Sequence, residues 1–196
     1  MNYIQYSKRR EKEAVRIMDA LNIQNQIPIS CKIIPVGSFS LHTMIKPDLD
    51  FVIKVSDGKH VKLAISALHR FFKKDNKFFN ISIEDRPSLA GKSIHAQYKS
   101  KSNWKFDILV STNNLKKYYE LKNLIDKKMT PDKKRIILNL KYYFYMKRLY
   151  VPALSMHIYD AVLKKNIKNT REFISYLESI GVKRSDFIIQ KGLFLN

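Results

Sequence analysis

Residues 35–55, PVGSFSLHTMIKPDLDFVIKV, restrict the architecture of this chain more than any other stretch. The apolar run Ile33, Ile34, Val36 ends at Gly37-Ser38, and a second run, Phe51, Val52, Ile53, follows the loop. The pattern predicts a strand, a tight turn, a short helical connection and a second strand. At that turn the backbone N–H groups of Gly37 and Ser38 are placed to face a phosphate. Asp48 and Asp50 enter the second strand with Leu49 between them. Side chains alternate across a strand, so both carboxylates project to one face while Leu49 and Phe51 take the other. Two like charges about 4 Å apart repel by roughly 4 kcal/mol at an effective dielectric of about 20. Such a pair adds nothing to a strand's stability, but a divalent cation turns the cost into a gain.

A third acid follows in WKFDILV, residues 104–110. Trp104, Phe106, Ile108 and Val110 make one apolar face, and Asp107 stands on the opposite one. A Gly-Ser turn, an Asp-x-Asp strand and a later hydrophobic-Asp-hydrophobic strand resemble the signature of the DNA polymerase β-like nucleotidyltransferase superfamily. The likeness is to the branch of CCA-adding enzymes, poly(A) polymerases, oligoadenylate synthetases and cGAS-like synthases. It implies an α/β (α+β) fold, with a mixed sheet of about five strands and flanking helices at 1–112. A small all-helical domain at 113–196 would follow. It implies that Asp48, Asp50 and Asp107 are catalytic and hold two Mg²⁺ ions, or Mn²⁺ in their place. Gly37 and Ser38 would hold the nucleotide's phosphates, with Thr43 keeping a hydrogen bond in the loop. Many relatives carry Gly-Thr after the Gly-Ser turn where this chain has His42-Thr43, and histidine lacks glycine's backbone freedom.

The 196 residues suffice for one domain, or for one with a small annex. Their 37 Lys and Arg against 17 Asp and Glu give a net charge of +20, a field that attracts polyanions. Nucleic acid is the leading partner and anionic lipid the second. Drift in an AT-rich genome explains Lys over Arg better than it explains the shortage of acids. Cys31 is the only cysteine, so no internal disulfide forms and no cysteine-based zinc site is suggested. The start does not resemble a signal peptide, and no apolar run is long enough to span a bilayer. A cytoplasmic protein without a membrane partner is expected; oligomeric state is not legible.

In chain order, residues 2–23 read as a helix with Ala14, Ile17, Met18 and Leu21 on one stripe. A strand at 31–36 leads into the motif. Asp57-Gly58 is a turn signal, and a helix over 59–74 follows. Residues 79–84 alternate as a strand, with Phe79, Ile81 and Ile83 on one side. Residues 93–99 and 104–110 are expected as a hairpin across Ser100-Lys101-Ser102-Asn103. Lys92, Lys99 and Lys101 line it, either as edge protection or as nucleic-acid contacts. Helices are then predicted from Leu115 to Lys127, from Thr130-Pro131 to about Leu149 and from Pro152 to Lys165. A last helix starts at the capping box Asn169…Glu172 and ends at Gly181. The apolar tail 185–195 reads as a strand or a docked loop.

The helices KRIILNLKYYFYMKR and VPALSMHIYDAVL resemble the helical domain of the same branch, where one Lys and one Ser contact the triphosphate. Lys141 and Ser155 match them, although Leu138 stands where an Arg is usual three residues before the Lys. Tyr159 shares a face with Ser155, four residues apart, and is placed to reach a base. The aromatics at 142–145 and Tyr150, mixed with Lys147 and Arg148, suit either single-strand stacking or a domain core. The resemblance implies transfer of a nucleoside monophosphate from an NTP to the 3′ hydroxyl of an RNA or tRNA-like acceptor, releasing pyrophosphate. The alternative is a synthase of cyclic or short linear oligonucleotide messengers, with or without nucleic-acid activation. A third class, a small transferase labelling a protein or antibiotic or an inactive nucleic-acid-binding module, fits less well. The three acids argue against inactivity, and the basic charge argues against an antibiotic substrate.

Overall fold

The computed structural model describes residues 2–113, 116–151, 153–183 and 188–189, and its first element is helix α1 (Tyr3–Leu21). The chain divides into a unit of Arg9–Lys116 and a unit of the described residues within Met1–Lys8 and Lys117–Asn196.

The first unit is built on a five-stranded sheet. Its strands are β1 (Lys32–Val36), β2 (Asp48–Lys54), β3 (Phe78–Arg86), β4 (Gly91–Tyr98) and β5 (Trp104–Ser111), in the order β1-β2-β5-β4-β3. β2 and β5 run parallel, and every other neighbouring pair is antiparallel. The four-residue α2 (Gly37–Ser40) joins β1 to β2, and α3 (Gly58–Lys74) follows β2. Period-two alternation decides which face is covered. Leu49, Phe51 and Ile53 of β2, Ile94 and Ala96 of β4, and Trp104, Phe106, Ile108 and Val110 of β5 are all buried in one cluster. Ala14, Ile17 and Leu21 of α1 and Val61, Ala64, Ile65, Leu68 and Phe72 of α3 complete it. Apolar stripes at helical spacing thus lie on one sheet face, and the sheet's other face carries the acids. Polar bonds fix the end of the hairpin: Trp104 Nε1 donates to Glu13 Oε1 at 3.2 Å, and the buried Arg10 donates to Ser102 Oγ at 2.6 Å.

Two local readings change. Asp57-Gly58 is a helix start, because the Asp57 carboxylate accepts the His60 backbone N–H at 2.9 Å and caps α3. In β3 the register shifts between Phe79 and Ser82, where Asn80 takes φ +51°. This bulge breaks the expected alternation, so Phe78 is buried while Ile83 is 43% exposed.

The second unit contains α4 (Lys116–Lys128), α5 (Pro131–Met146), α6 (Leu154–Lys164) and α7 (Thr170–Ser179). A two-residue ribbon joins them, β6 (Leu149–Tyr150) against β7 (Ile188–Ile189). Thr130 Oγ1 accepts the Lys133 N–H at 3.2 Å with Pro131 at the first helical position, as the sequence predicts. α5 ends at Met146, short of Leu149, because Arg148 takes a left-handed φ of +54° and the chain leaves as β6. Asn169 caps α7 through the Glu172 N–H at 3.0 Å. At its other end Gly181 (φ +87°) donates to Glu178 O and Val182 to Leu177 O, the paired bonds of a Schellman motif. Phe144 meets Phe173 edge-on at 5.6 Å, and Tyr6 packs on Tyr142 and Tyr145. Leu115 and Pro152 lie outside the described residues, as does the tail beyond Ile188 and Ile189. No helix among the described residues is long and apolar enough to cross a membrane.

Candidate active site

The site is laid out by strand register. β2 and β5 pair in parallel with Asp50 directly opposite Asp107, and Asp48 lies two residues earlier on the same side of β2. Neighbouring strands lie about 4.8 Å apart, so the Asp50 and Asp107 side chains leave one sheet face side by side. Their flanking residues Leu49, Phe51, Phe106 and Ile108 are at most 3% exposed, which pins both strands in this phase. Asp107 is exposed, and Asp48 and Asp50 are half-buried.

Gly37 follows β1 with φ +64°, a conformation that disfavours any residue carrying a Cβ. A Cβ built there would lie 2.3 Å from Asp50 Oδ2. Only glycine brings the turn this close to the carboxylate. Ser38 is half-buried in the same turn, and its carbonyl accepts the Thr43 N–H at 3.0 Å. Thr43 is fully buried, so it closes the loop from inside. His42 adopts φ +53°, the glycine-like conformation that the sequence makes costly, and its exposed ring lies 3.6 Å from Glu11 Oε2.

His95 is the residue sequence reading missed. It is the direct partner of Asp107 on β4, and its Nδ1 lies 2.6 Å from Asp107 Oδ1. The expected hairpin loop, 100–103, would pair residue 96 with Asp107. The real loop is one residue longer, which moves His95 into that place. Counting outward from a five-residue loop would have found it.

Three carboxylates are a hard-oxygen donor set suited to Mg²⁺, and the space a Cβ at Gly37 would fill is taken by the Asp50 carboxylate. The acids therefore fit the metal in chemistry and in face. Among the described residues no three His, Cys, Asp or Glu groups are gathered into a formed metal cluster.

In the second unit, Lys141 is 8% exposed, unusual for a lysine. Its Nζ donates to Tyr159 Oη at 3.2 Å and lies 5.1 Å from that ring's centre. Ser155 is half-buried one turn before Tyr159 on α6. Leu138, which replaces the usual Arg, is buried in α5. Tyr159 also lines a cavity of about 220 Å³ with Ile125, Met156, Asp160 and Tyr176. Asp160 is held below the ordinary carboxylate range, first by Lys164 and then by the Tyr176 hydroxyl. Burial, and then the bond to Asp160, push Tyr176 up to about 12.

The sequence matches no protein-family model and no curated protein. Its backbone does match solved structures. Cid1 poly(U) polymerase aligns with a TM-score of 0.60 at 18% identity, over 81% of this chain and 51% of that one. A cytoplasmic RNA terminal U-transferase aligns at 0.58 and 16% identity, over 85% and 56%. A chain of the GLD-2/RNP-8 complex aligns at 0.55 and 10% identity, over 99% and 78%. The chain shares the fold of these transferases and polymerases, the fold that the resemblance to the DNA polymerase β-like superfamily implied. The chain spans about half the length of the first two of these structures. Within the nucleotidyltransferase fold, the five-stranded mixed sheet and its flanking helices agree with the architecture the sequence implied.

Proposed function

We propose that the chain is a metal-dependent nucleotidyltransferase acting on RNA ends. It would transfer a nucleoside monophosphate from an NTP to a 3′ hydroxyl. The bond between the α-phosphorus and the bridging oxygen breaks, the 3′ oxygen–phosphorus bond forms, and pyrophosphate leaves. One observation carries this reading: the β2–β5 register sets Asp50 beside Asp107, with Asp48 on the same face and the Gly37 backbone closed onto Asp50. Asp48 and Asp50 would hold two Mg²⁺ ions, or Mn²⁺, and Asp107 would complete the site nearer the attacking hydroxyl. Bound there, the metal would supply charge that makes the hydroxyl more acidic and offsets the negative charge of the departing pyrophosphate. The protein's own work is positioning: Gly37 and Ser38 hold phosphates through the turn, and the strand pair fixes the carboxylates in advance. In the helical unit, Lys141, Ser155 and Tyr159 would contribute nucleotide contacts; Lys141 and Tyr159 are already neighbours there, with Ser155 one turn before Tyr159 on α6.

Cid1 structures hold MgATP, MgGTP and the short product ApU, which favours NTP and RNA as the partners. The net charge of +20 favours a polyanionic acceptor over a small neutral one. The likeness to a cytoplasmic RNA terminal U-transferase favours the cytoplasm as its location. The test is incubation with each labelled NTP and dNTP and Mg²⁺, with and without RNA, resolved on a gel. Primer-dependent extension that disappears in Asp50→Ala is expected. Product formed from NTPs alone would move the reading to a messenger synthase, and absence of any NTP product would end it. RNA affinity should fall with salt at a log–log slope of about −0.7 per phosphate contacted.

A further inference from the structure

We infer that His95 is a positioning residue for Asp107, setting which carboxylate oxygen is presented to a divalent cation; this rests on the reading of Asp107 as a metal-holding group. Asp50, Asp107 and His95 form one row across β2, β5 and β4, because Asp107 is the register partner of both others. All three side chains leave the same face of the sheet. His95 Nδ1 lies 2.6 Å from Asp107 Oδ1. A carboxylate oxygen only accepts, so Nδ1 carries the hydrogen and donates it. That bond occupies Oδ1 and fixes the carboxylate's rotation, which leaves Oδ2 as the oxygen to be offered.

The sheet sets which way the ring faces. Its Nε2 is buried without a hydrogen-bond partner and faces Glu84 Oε2 of β3 at 3.6 Å. Glu84 is in turn bonded by Arg86 at 2.7 Å. Ile94 and Ala96, its neighbours on β4, are at most 3% exposed and lock the strand's phase, so His95 cannot turn to the other face. An exposed carboxylate would otherwise sample several rotamers. A hydrogen bond from a neighbouring strand removes that freedom before metal arrives, which is the ordinary role of a group bonded to a metal ligand.

The test is Mn²⁺ binding to the full chain, followed by electron paramagnetic resonance without nucleotide. His95→Leu removes the donor, and His95→Phe does so while keeping the ring's bulk should leucine fail to fold. Each should weaken Mn²⁺ affinity by about 10–100-fold, with the far-ultraviolet spectrum unchanged. His95→Asn places an amide N–H close to the position of Nδ1 and should recover affinity to within a few-fold. Affinity unchanged in the folded donorless variant would overturn the inference, as would an Asn variant as weak as the donorless ones. Asp50→Ala, measured alongside, separates the two readings. Loss of Mn²⁺ in Asp50→Ala with retention in the His95 variants sinks the role of His95 alone. Wild-type protein that binds no Mn²⁺, or binds it equally in Asp50→Ala, sinks the metal reading and this inference with it.

Discussion

At Gly37 two constraints exclude a side chain: the left-handed backbone, and the 2.3 Å that an added Cβ would leave to Asp50 Oδ2. A Cβ there costs roughly 1–2 kcal/mol in backbone strain, and it also drives the Asp50 carboxylate away from where the turn now meets it. Gly37→Ala should therefore lower the melting temperature by a few degrees and reduce NTP transfer far more than that loss explains. Measured together, a normal kcat/KM with a lowered Tm would show that the close approach has no part in the chemistry. The residues at this scale were legible to different degrees. Asp48, Asp50 and Asp107 announce themselves because charge inside an apolar strand is costly, and the fold places them on one face as alternation requires. His95 did not, since its meaning depends on a hairpin register that one loop residue decides. Burial of Lys141 against Tyr159 was equally hidden: a lysine among so many others carries no local mark of its partner.

Helix α3 shows how an element is held by its first residue. The Asp57 carboxylate accepts the His60 backbone N–H, and beyond it the His60 ring and Ser56 hydroxyl, which together hold its pKa at about 2. A carboxyl lowered on folding stabilises above its unfolded pKa, about 4, and loses that contribution as the pH falls toward 2. Asp57→Asn keeps the cap but does not titrate, so the Tm advantage of wild type over this variant should shrink between pH 4 and pH 2. Thermal melts across that range measure it, and parallel curves would show that the carboxylate does not stabilise α3. Element starts and stops were readable where a side chain or a glycine does the work, as at Thr130, Asn169 and Gly181. They were misread where residues other than glycine take left-handed backbone: Asn80 bulges β3 and Arg148 follows the end of α5, with no glycine to signal either. Propensity rules treat such positions as improbable, and only tertiary packing selects them.

Across the whole molecule, the sheet, its core and the family likeness were legible because strand periodicity and three acids reinforce one another, whereas the pairing order was not. That order has a further consequence, for the time course of folding. β1–β2 and β3–β4–β5 are each wired locally by antiparallel turns, and the two pieces join only along the parallel β2–β5 seam. Pairing Asp50 with Asp107 closes a loop that contains α3, β3 and β4, so its entropic cost is met before the seam rewards it. The prediction is that pulse-labelled amides of β4 and β5 facing each other become protected before those bridging β2 and β5. Simultaneous protection of both sets would contradict it. If the order holds, the two acids are still apart while the meander carrying Asp107 is already formed, and competence for chemistry arrives as the last event of assembly.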